Sequence, residues 1–250
     1  MRLVHFDNRF PTIDVSPNDL ANQLTLIDLP IFKSISSEEF ITTKDQLRPN
    51  VVAMKRQFNQ VTFWIVGQIL RHESARYRAE MISFFIKTAR HLFLLNNLHS
   101  SNAIVSALLS TPVYRLEKTW HIVRKKYSKD IIHFDQLKQL YSDNNNYELL
   151  RKHLANCCLP CIPYLGMYSR DMIYINEAHQ EGTVQRTKST SRIIESLQRF
   201  QLSDYNLPEL IDVKDFILGS RYIDELQKIK EDENFHLSLK LEANNKTIIT

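Results

Sequence analysis

The sequence AEMISFFIKTARHLFLLNNL, residues 79–98, decides the fold class of this chain. Apolar side chains recur here at a helix-like spacing, at Ile82, Phe85, Ile86, Ala89, Phe93 and Leu98, with further apolar residues beside them. The apolar stripe of an amphipathic surface helix is narrower than this. The pattern therefore predicts a helix that is central in the fold and buried on most of its faces.

Helical periodicity continues on both sides of this segment. It predicts further helices at residues 50–70, 102–109, 134–141, 147–155, 191–202, 207–218 and 221–230. One segment, residues 235–241, alternates apolar and polar residues instead, which predicts a short terminal strand or an extended packing segment. Only four glycines are present, which is few for a sheet with many tight turns. We expect an all-α fold in a single domain.

The composition is that of a soluble globular protein, with 43% hydrophobic and 24% charged residues and a net charge of +4. The basic residues are dispersed, and the run at Arg124, Lys125 and Lys126 fits a solvated helix face better than a nucleic-acid site. No secretory signal and no membrane-spanning run is evident. We expect a cytoplasmic protein that binds no nucleic acid, inserts in no membrane, and reaches membranes only through partners or further domains.

Motifs for nucleotide binding and covalent catalysis are missing from the sequence. It has no glycine-rich phosphate loop, no GxSxG and no HExxH, so no cofactor is expected. Cys158 and Cys161 have a spacing known from zinc sites, and His153 and Cys157 would complete four ligands. The alternative is a buried cluster of structural thiols, which the apolar neighbours favour.

Five segments, in order, resemble one known family. They are LTLIDLPIFKSISSEEF, NVVAMKRQFNQVTFWIVGQIL, the region from RAEMISFF to RLEKTW, PCIPYLGMYSRDMIYINEA, and SRYIDELQKIKEDENFHLSLKLE. Together they resemble the catalytic domain of Ras-type guanine-nucleotide exchange factors. The match covers residues 16–242, leaving flanking tails at 1–15 and 243–250. The phrases FNQVTFW, NNLHS, YLGMY and RYIDELQK resemble the Ral-directed branch that carries a pleckstrin-homology domain.

The resemblance implies one helical domain with a protruding helical hairpin. It implies acceleration of GDP release from a small GTPase of the Ras family, with Ral first and Rap or Ras next. In the family, the hairpin pushes switch I aside and a groove captures switch II, without covalent chemistry. The alternative is a degenerate exchange-factor fold that binds a GTPase or an adaptor without exchange.

The resemblance also assigns roles to residues of the hairpin. Ile173 falls where the family places an apolar side chain at the Mg²⁺ site, and Glu177 where some members place an acid that engages the phosphate-loop hydroxyl. Four residues apart, they would share one face of a helix. Gly166 would allow a close turn or a close approach of the backbone. Glu177 is unusual for the Ral-directed branch, which tends to have a small hydroxyl residue there.

Further residues are expected to contact the GTPase: Arg56, Asn102, Tyr147, Tyr164, Tyr174, His179 and Arg192. Arg56 would stand at the edge of the groove, Tyr147 would line its floor, and Tyr164 would contact switch II. Tyr147 could instead pack only on its own helix. Lys55 and Asn102 occupy groove positions that are often apolar in the family, which could weaken capture or change the preferred GTPase. Asn96 and Asn97 would hold the base of the hairpin.

Overall fold

The computed structural model describes residues 4–6, 13–219 and 222–243, with side chains from Val15 onward. Two three-residue strands, β1 (Val4–Phe6) and β2 (Ile13–Val15), pair in antiparallel fashion. Short 3-10 helices at Asp45–Leu47 and Asp224–Leu226 precede α3 and α13. All other regular structure in the described part is helical: α1 (Pro17–Lys33), α2 (Ser37–Ile41), α3 (Pro49–Leu70), α4 (Ala75–Leu94), α5 (Leu98–Leu109), α6 (Thr111–Tyr114), α7 (Glu117–Lys126), α8 (Ser128–Leu140), α9 (Glu148–Ala155), α10 (Leu165–Ala178), α11 (Val184–Gln201), α12 (Ile211–Leu218) and α13 (Gln227–Leu241). The predicted all-α class is confirmed.

The helix α4 is central, as its sequence predicts. It packs against α1, α3, α5, α7 and α8, and Ile82, Phe85, Ile86 and Ala89 are fully buried among them. The predicted end at residue 98 is wrong, because the helix stops at Leu94 and Leu98 already belongs to α5.

A Schellman motif ends α4. Asn96 adopts a left-handed conformation with φ 57°, its N–H donates to the Phe93 carbonyl (3.0 Å), and the Asn97 N–H donates to the Leu92 carbonyl (2.9 Å). Asn97 then begins the next helix, since its side chain accepts a hydrogen bond from the Ser100 N–H. Two adjacent asparagines therefore produce a sharp change of direction without a glycine.

The predicted terminal strand at residues 235–241 is also wrong. This segment is the second half of α13, which also replaces the separate helix predicted at 221–230. The buried positions follow a helical period through Ser238 and Glu242, which are polar, whereas Phe235 and Leu237 remain over a third exposed. Apolar alternation is misleading here because the two buried positions, Ser238 and Glu242, are polar.

The N-terminus of α3 is fixed by a side chain from the preceding helix. Glu39 is buried, and its carboxylate accepts hydrogen bonds from the backbone N–H groups of Asn50 (2.7 Å) and Val51 (3.2 Å). A carboxylate at this end of a helix satisfies free N–H groups and complements the helix dipole. This contact sets the start of the helix that forms one wall of the candidate site.

The helices α10 and α11 form an antiparallel hairpin joined by residues 179–183. Its base is packed into the core through Leu165, Met167, Met172, Leu197 and Phe200. In contrast, no residue from 173 to 189 is buried, so the tip half of the hairpin projects from the body. None of the described helices is long and apolar enough to span a membrane.

Candidate functional site

A groove of about 370 Å³ lies between α3 and the start of α10. An aromatic cluster forms part of its lining: the ring of Phe58 lies 5.6 Å from Tyr164 and 5.4 Å from His99. Lys55, on α3, and Ile173, on α10, also line it. The groove thus joins a recessed aromatic surface to the point where the hairpin leaves the body.

Tyr164 is held over Gly166. A Cβ atom at position 166 would overlap the Tyr164 ring, so this position requires glycine for the observed ring placement. The close approach predicted at Gly166 is therefore present, made by a side chain rather than by backbone. Burial, together with the neighbouring Tyr147, raises the pKa of Tyr164 to about 12, so the phenol is neutral.

Tyr147 supports Tyr164 and is not among the described residues that line the groove. Its ring lies 5.9 Å from that of Tyr164 in an edge-to-face arrangement. Tyr147 is buried, precedes α9 and has a left-handed backbone with φ 59°. The Arg170 guanidinium lies 5.2 Å from its ring centroid, a cation–π distance. It therefore packs on more than its own helix, but it reaches the groove through Tyr164.

His99 is a groove residue that the sequence analysis missed. It is the second residue of α5 and is buried. Its Nε2 donates a hydrogen bond to the Met54 carbonyl (3.1 Å). Burial lowers the pKa of His99 to about 4, although the bond to Met54 opposes this, so the ring is neutral. The sequence NNLHS does not indicate that this histidine is buried. Its inward direction depends on the turn at Asn96, which sets the direction of α5.

The hairpin presents the two predicted catalytic residues to solvent. Ile173 is 47% exposed, and Glu177 is exposed one helical turn further along. Tyr174 is 55% exposed, Arg192 is exposed on α11, and His179 is half-buried at the end of α10. These five residues are all on the hairpin or at its turn.

Arg56 and Asn102 are not brought into the groove. Arg56 turns towards the segment before α13 and forms an ion pair with Asp224 (2.8 Å). Asn102 is buried within α5, and neither side chain belongs to the described lining. Lys55, one residue earlier on α3, does line the groove. Successive side chains on a helix point about 100° apart. This rotation directs Lys55 into the groove and Arg56 away from it.

The base of the hairpin is tied to the turn after α4. The Asn96 side chain donates to the carbonyls of Cys158 (3.0 Å) and Pro160 (3.4 Å), and the Ile162 N–H donates to the Asn96 carbonyl (2.9 Å). The Asn97 side chain donates to the buried carboxylate of Asp28 (2.8 Å). The side chain of Asn96 therefore holds the base of the hairpin as expected, whereas the side chain of Asn97 binds α1 instead.

The four residues considered for zinc do not form a metal site. Cys157 and Cys161 are buried, whereas Cys158 is exposed and the His153 ring packs 5.1 Å from Phe93. Within the described ranges, no three His, Cys, Asp or Glu side chains are grouped so that they could hold a metal ion. The two inner thiols lie at the base of the hairpin, where the Arg199 side chain also donates to the Cys157 carbonyl (3.0 Å).

Comparison with known families shows which family this chain resembles. The family model of the RasGEF domain matches residues 19–200, which include the groove and the hairpin. The chain belongs to the RasGEF domain family. The helix α13 follows the matched residues and packs on the RasGEF domain through α3 and α6.

Several curated proteins are similar to this RasGEF domain over nearly its whole length. The Ras-specific guanine nucleotide-releasing factor RalGPS1 of Gallus gallus is 40% identical over 251 residues, covering 95% of this chain and 42% of the relative. RalGPS1 of Danio rerio is 42% identical over 250 residues, covering 94% and 42%. Ras-specific guanine nucleotide-releasing factor 1 of Rattus norvegicus is 31% identical over 239 residues, covering 91% and 19%. The chain spans less than half the length of these relatives.

Proposed function

We propose that this RasGEF domain accelerates GDP release from a small GTPase of the Ras family, with Ral as the preferred partner and Rap or Ras next. The observation that carries the proposal is Ile173, an exposed apolar side chain that both lines the groove and begins the projecting half of the hairpin. Similarity to the two proteins named RalGPS1 supports the choice of Ral.

The hairpin would act on the metal and phosphate sites of the GTPase. Mg²⁺ is a hard cation that requires oxygen ligands, and an isoleucine inserted at its site offers none. Glu177, one turn further along α10, would accept a hydrogen bond from the phosphate-loop hydroxyl that otherwise binds Mg²⁺. Tyr174, His179 and Arg192, which also lie on the hairpin, would contact the displaced switch I.

The groove would hold switch II while the hairpin acts. Tyr164 and Phe58, packed against the buried His99, offer ring surfaces that can bury an apolar or aromatic side chain of the GTPase. Tyr147 would contribute by supporting Tyr164. Arg56 would need to exchange its ion pair with Asp224 for a contact with the GTPase, and Asn102 would act from within the wall.

Linkage gives the driving force for release. A protein that binds the nucleotide-free GTPase much more tightly than the nucleotide-bound form weakens nucleotide binding by the same factor. No bond is made or broken, and either nucleotide can rebind after release. We place the functional unit at residues 16–242, because the Ser16 hydroxyl caps α1 and Glu242 is buried against α7. We further propose that the protein works in the cytoplasm and is recruited to membranes by partners or by other domains.

The release of a fluorescent GDP analogue from purified Ral, Rap and Ras tests this function. Each GTPase is loaded, mixed with micromolar protein and excess unlabelled GDP, and followed over time. We expect acceleration of release from Ral, with smaller effects on Rap and Ras. No acceleration of any of the three would refute the proposal.

A second candidate, binding of a GTPase without exchange, is favoured by one observation. Lys55 places an exposed cation in the wall of an aromatic groove, where a GTPase-binding surface gains affinity from apolar anchors. The binding module predicts a complex with a GTPase that persists in excess GDP and is insensitive to Glu177→Ala. An exchange factor predicts that excess GDP dissolves the complex.

A further inference from the structure

The loop of residues 142–147, between α8 and α9, has an unusual backbone. Three successive residues are left-handed: Asn145 (φ 49°), Asn146 (φ 56°) and Tyr147 (φ 59°). Asparagine tolerates this conformation, but a bulky residue such as tyrosine adopts it only at a cost in free energy. Surrounding contacts must therefore hold the loop in place, and such strain is often found at functional sites.

One set of contacts joins this loop to α10 through Arg151. The Arg151 Nε donates to the Asn146 carbonyl (2.7 Å), while its Nη2 lies 2.7 and 2.9 Å from the two carboxylate oxygens of Asp171. The Asn146 side chain donates to the same carboxylate (3.3 Å). The Asp171 side chain is only 16% exposed, so these charge-assisted hydrogen bonds are partly shielded from water.

A second set engages the preceding residue of α10. The Arg170 guanidinium lies 5.2 Å from the ring centroid of Tyr147 and 3.5 Å from the Asp143 carboxylate. The Tyr147 ring in turn packs on Tyr164, immediately before α10 begins. The 142–147 loop, together with Arg151, thus contacts two consecutive residues of α10, Arg170 and Asp171, and also Tyr164 at the start of that helix.

These contacts lie where the hairpin leaves the body of the domain. Arg170 and Asp171 lie three and two residues before Ile173, where the projecting half begins. Glu177 lies six residues beyond Asp171, or about 9 Å along the helix axis. A tilt of about 10° at these contacts would therefore displace Glu177 by about 1.5 Å. Displacements of about 1 Å can cost roughly a hundredfold in rate where reacting groups must be aligned.

We propose that the 142–147 loop is a clamp that sets the direction of the hairpin, with Arg151 as the positioning residue at its centre. The effect on GDP release rests on the proposed function, whereas the effect on the hairpin itself does not. Arg151 acts through Asp171 and is not assigned any contact with the GTPase. It is therefore suited to separate positioning from binding.

The test compares Arg151→Ala with Lys152→Ala. Lys152 is the next residue on α9; among the described residues its side chain pairs with Glu148 of the same helix (2.5 Å) and makes no contact with Asp171. Amide hydrogen exchange of the free protein is measured across α10, and the concentration dependence of GDP release is measured with the GTPase that responds best. If Arg151→Ala does not fold, Asp171→Asn removes the charge of the acceptor while keeping its shape.

We expect Arg151→Ala to raise exchange rates of the amides at 172–178 by about tenfold, the factor that corresponds to one lost charge-assisted hydrogen bond. We also expect the maximal rate of GDP release to fall by about tenfold or more, with little change in the half-saturating concentration. Lys152→Ala should match the wild type in both measurements.

Two results would overturn the clamp. One is unchanged amide exchange at 172–178 in Arg151→Ala, and the other is faster amide exchange with an unaltered maximal release rate. If amide exchange rises but the wild-type protein accelerates release from no GTPase, the loop still holds the hairpin, and the proposed function is what fails.

Discussion

Arg78 and Glu242 form an ion pair that is almost completely buried, with the arginine Nη2 2.8 Å from the glutamate Oε1. The same carboxylate accepts hydrogen bonds from the N–H groups of Lys118 (2.8 Å) and Thr119 (3.1 Å) at the start of α7. Burial opposes ionisation of Glu242, but the hydrogen bonds with Thr119, Arg78 and Lys118 hold its pKa below the usual value. The end of α13 is therefore fixed to α4 and α7.

Breaking this pair should destabilise the domain strongly. We expect Glu242→Ala to lower the free energy of unfolding by about 3–5 kcal/mol, because it leaves Arg78 charged, buried and without its acid. Urea unfolding followed by circular dichroism measures the change. The double variant Arg78→Met with Glu242→Leu should recover part of the loss, since no buried charge then remains. A loss below about 1 kcal/mol in Glu242→Ala would show that the pair is not formed as described.

The contact between Gly166 and Tyr164 gives a prediction for the groove. Gly166→Ala should force the Tyr164 ring out of its position, because the added Cβ would overlap it. We expect the half-saturating concentration for GDP release to rise by about tenfold, which corresponds to partial loss of one aromatic anchor.

Gly67→Ala is the matched control for this substitution. Gly67 lies within α3, and a Cβ there meets nothing within 4 Å. Alanine should raise the free energy of unfolding by up to about 1 kcal/mol through its higher helix propensity and leave exchange unchanged. Equal exchange kinetics in Gly166→Ala and the wild type would contradict the role given to Tyr164.

Two buried groups affect stability in opposite directions as the pH falls. His99 has a pKa lowered to about 4 by burial, so the unfolded chain takes up a proton at a pH where the native state does not. Stability from this group is present above about pH 6.5 and is lost as the pH falls towards 4. Asp28 has a pKa raised to about 6 by burial, against the hydrogen bonds of Ser100 and Asn97. Its native state binds the proton first, so stability from Asp28 is present at low pH and is lost as the pH rises through 6.

We therefore expect two substitutions to change the pH dependence of stability with opposite sign. Between pH 6.5 and 5, His99→Gln should remove a loss of about 2 kcal/mol in the free energy of unfolding, at about 1.4 kcal/mol per pH unit. Asp28→Asn should make the fall on acidification steeper than in the wild type by about 1 kcal/mol. Urea unfolding at each pH gives both slopes. Parallel curves for the wild type and His99→Gln would show that His99 is not buried in its neutral form.

Much of the fold follows from sequence periodicity because most helices bury apolar side chains. The centre of the fold, α3 and α4, and the helices at the base of the hairpin are visible in this way. The second half of α13 is not, since the buried residues there are Ser238 and, at the end of the helix, Glu242, while Phe235 is partly exposed. Arg78, which pairs with Glu242, lies 164 residues earlier in the chain, and no local sequence pattern indicates that pairing.

The candidate site could be predicted at the hairpin and less well in the groove. The resemblance singled out Ile173 and Glu177, and because both lie on one helix, their four-residue spacing is enough to put them on one face. The groove is formed by separate elements, so its lining depends on their relative rotation. That rotation directs Lys55 into the groove and Arg56 towards Asp224, and the Asn96 turn brings His99 inward. These choices are tertiary and leave no signal in the local sequence.

The most direct test of the central claim is the maximal rate of GDP release from Ral at saturating protein. It is compared between the wild type and the double variant Ile173→Ala with Glu177→Ala. Val184→Ala, which truncates another exposed apolar residue of the hairpin, is the control. We predict that the double variant loses at least about tenfold in maximal rate with less than about threefold change in half-saturating concentration, because its contacts act in release rather than in capture. A double variant that releases GDP as fast as the wild type would contradict the account.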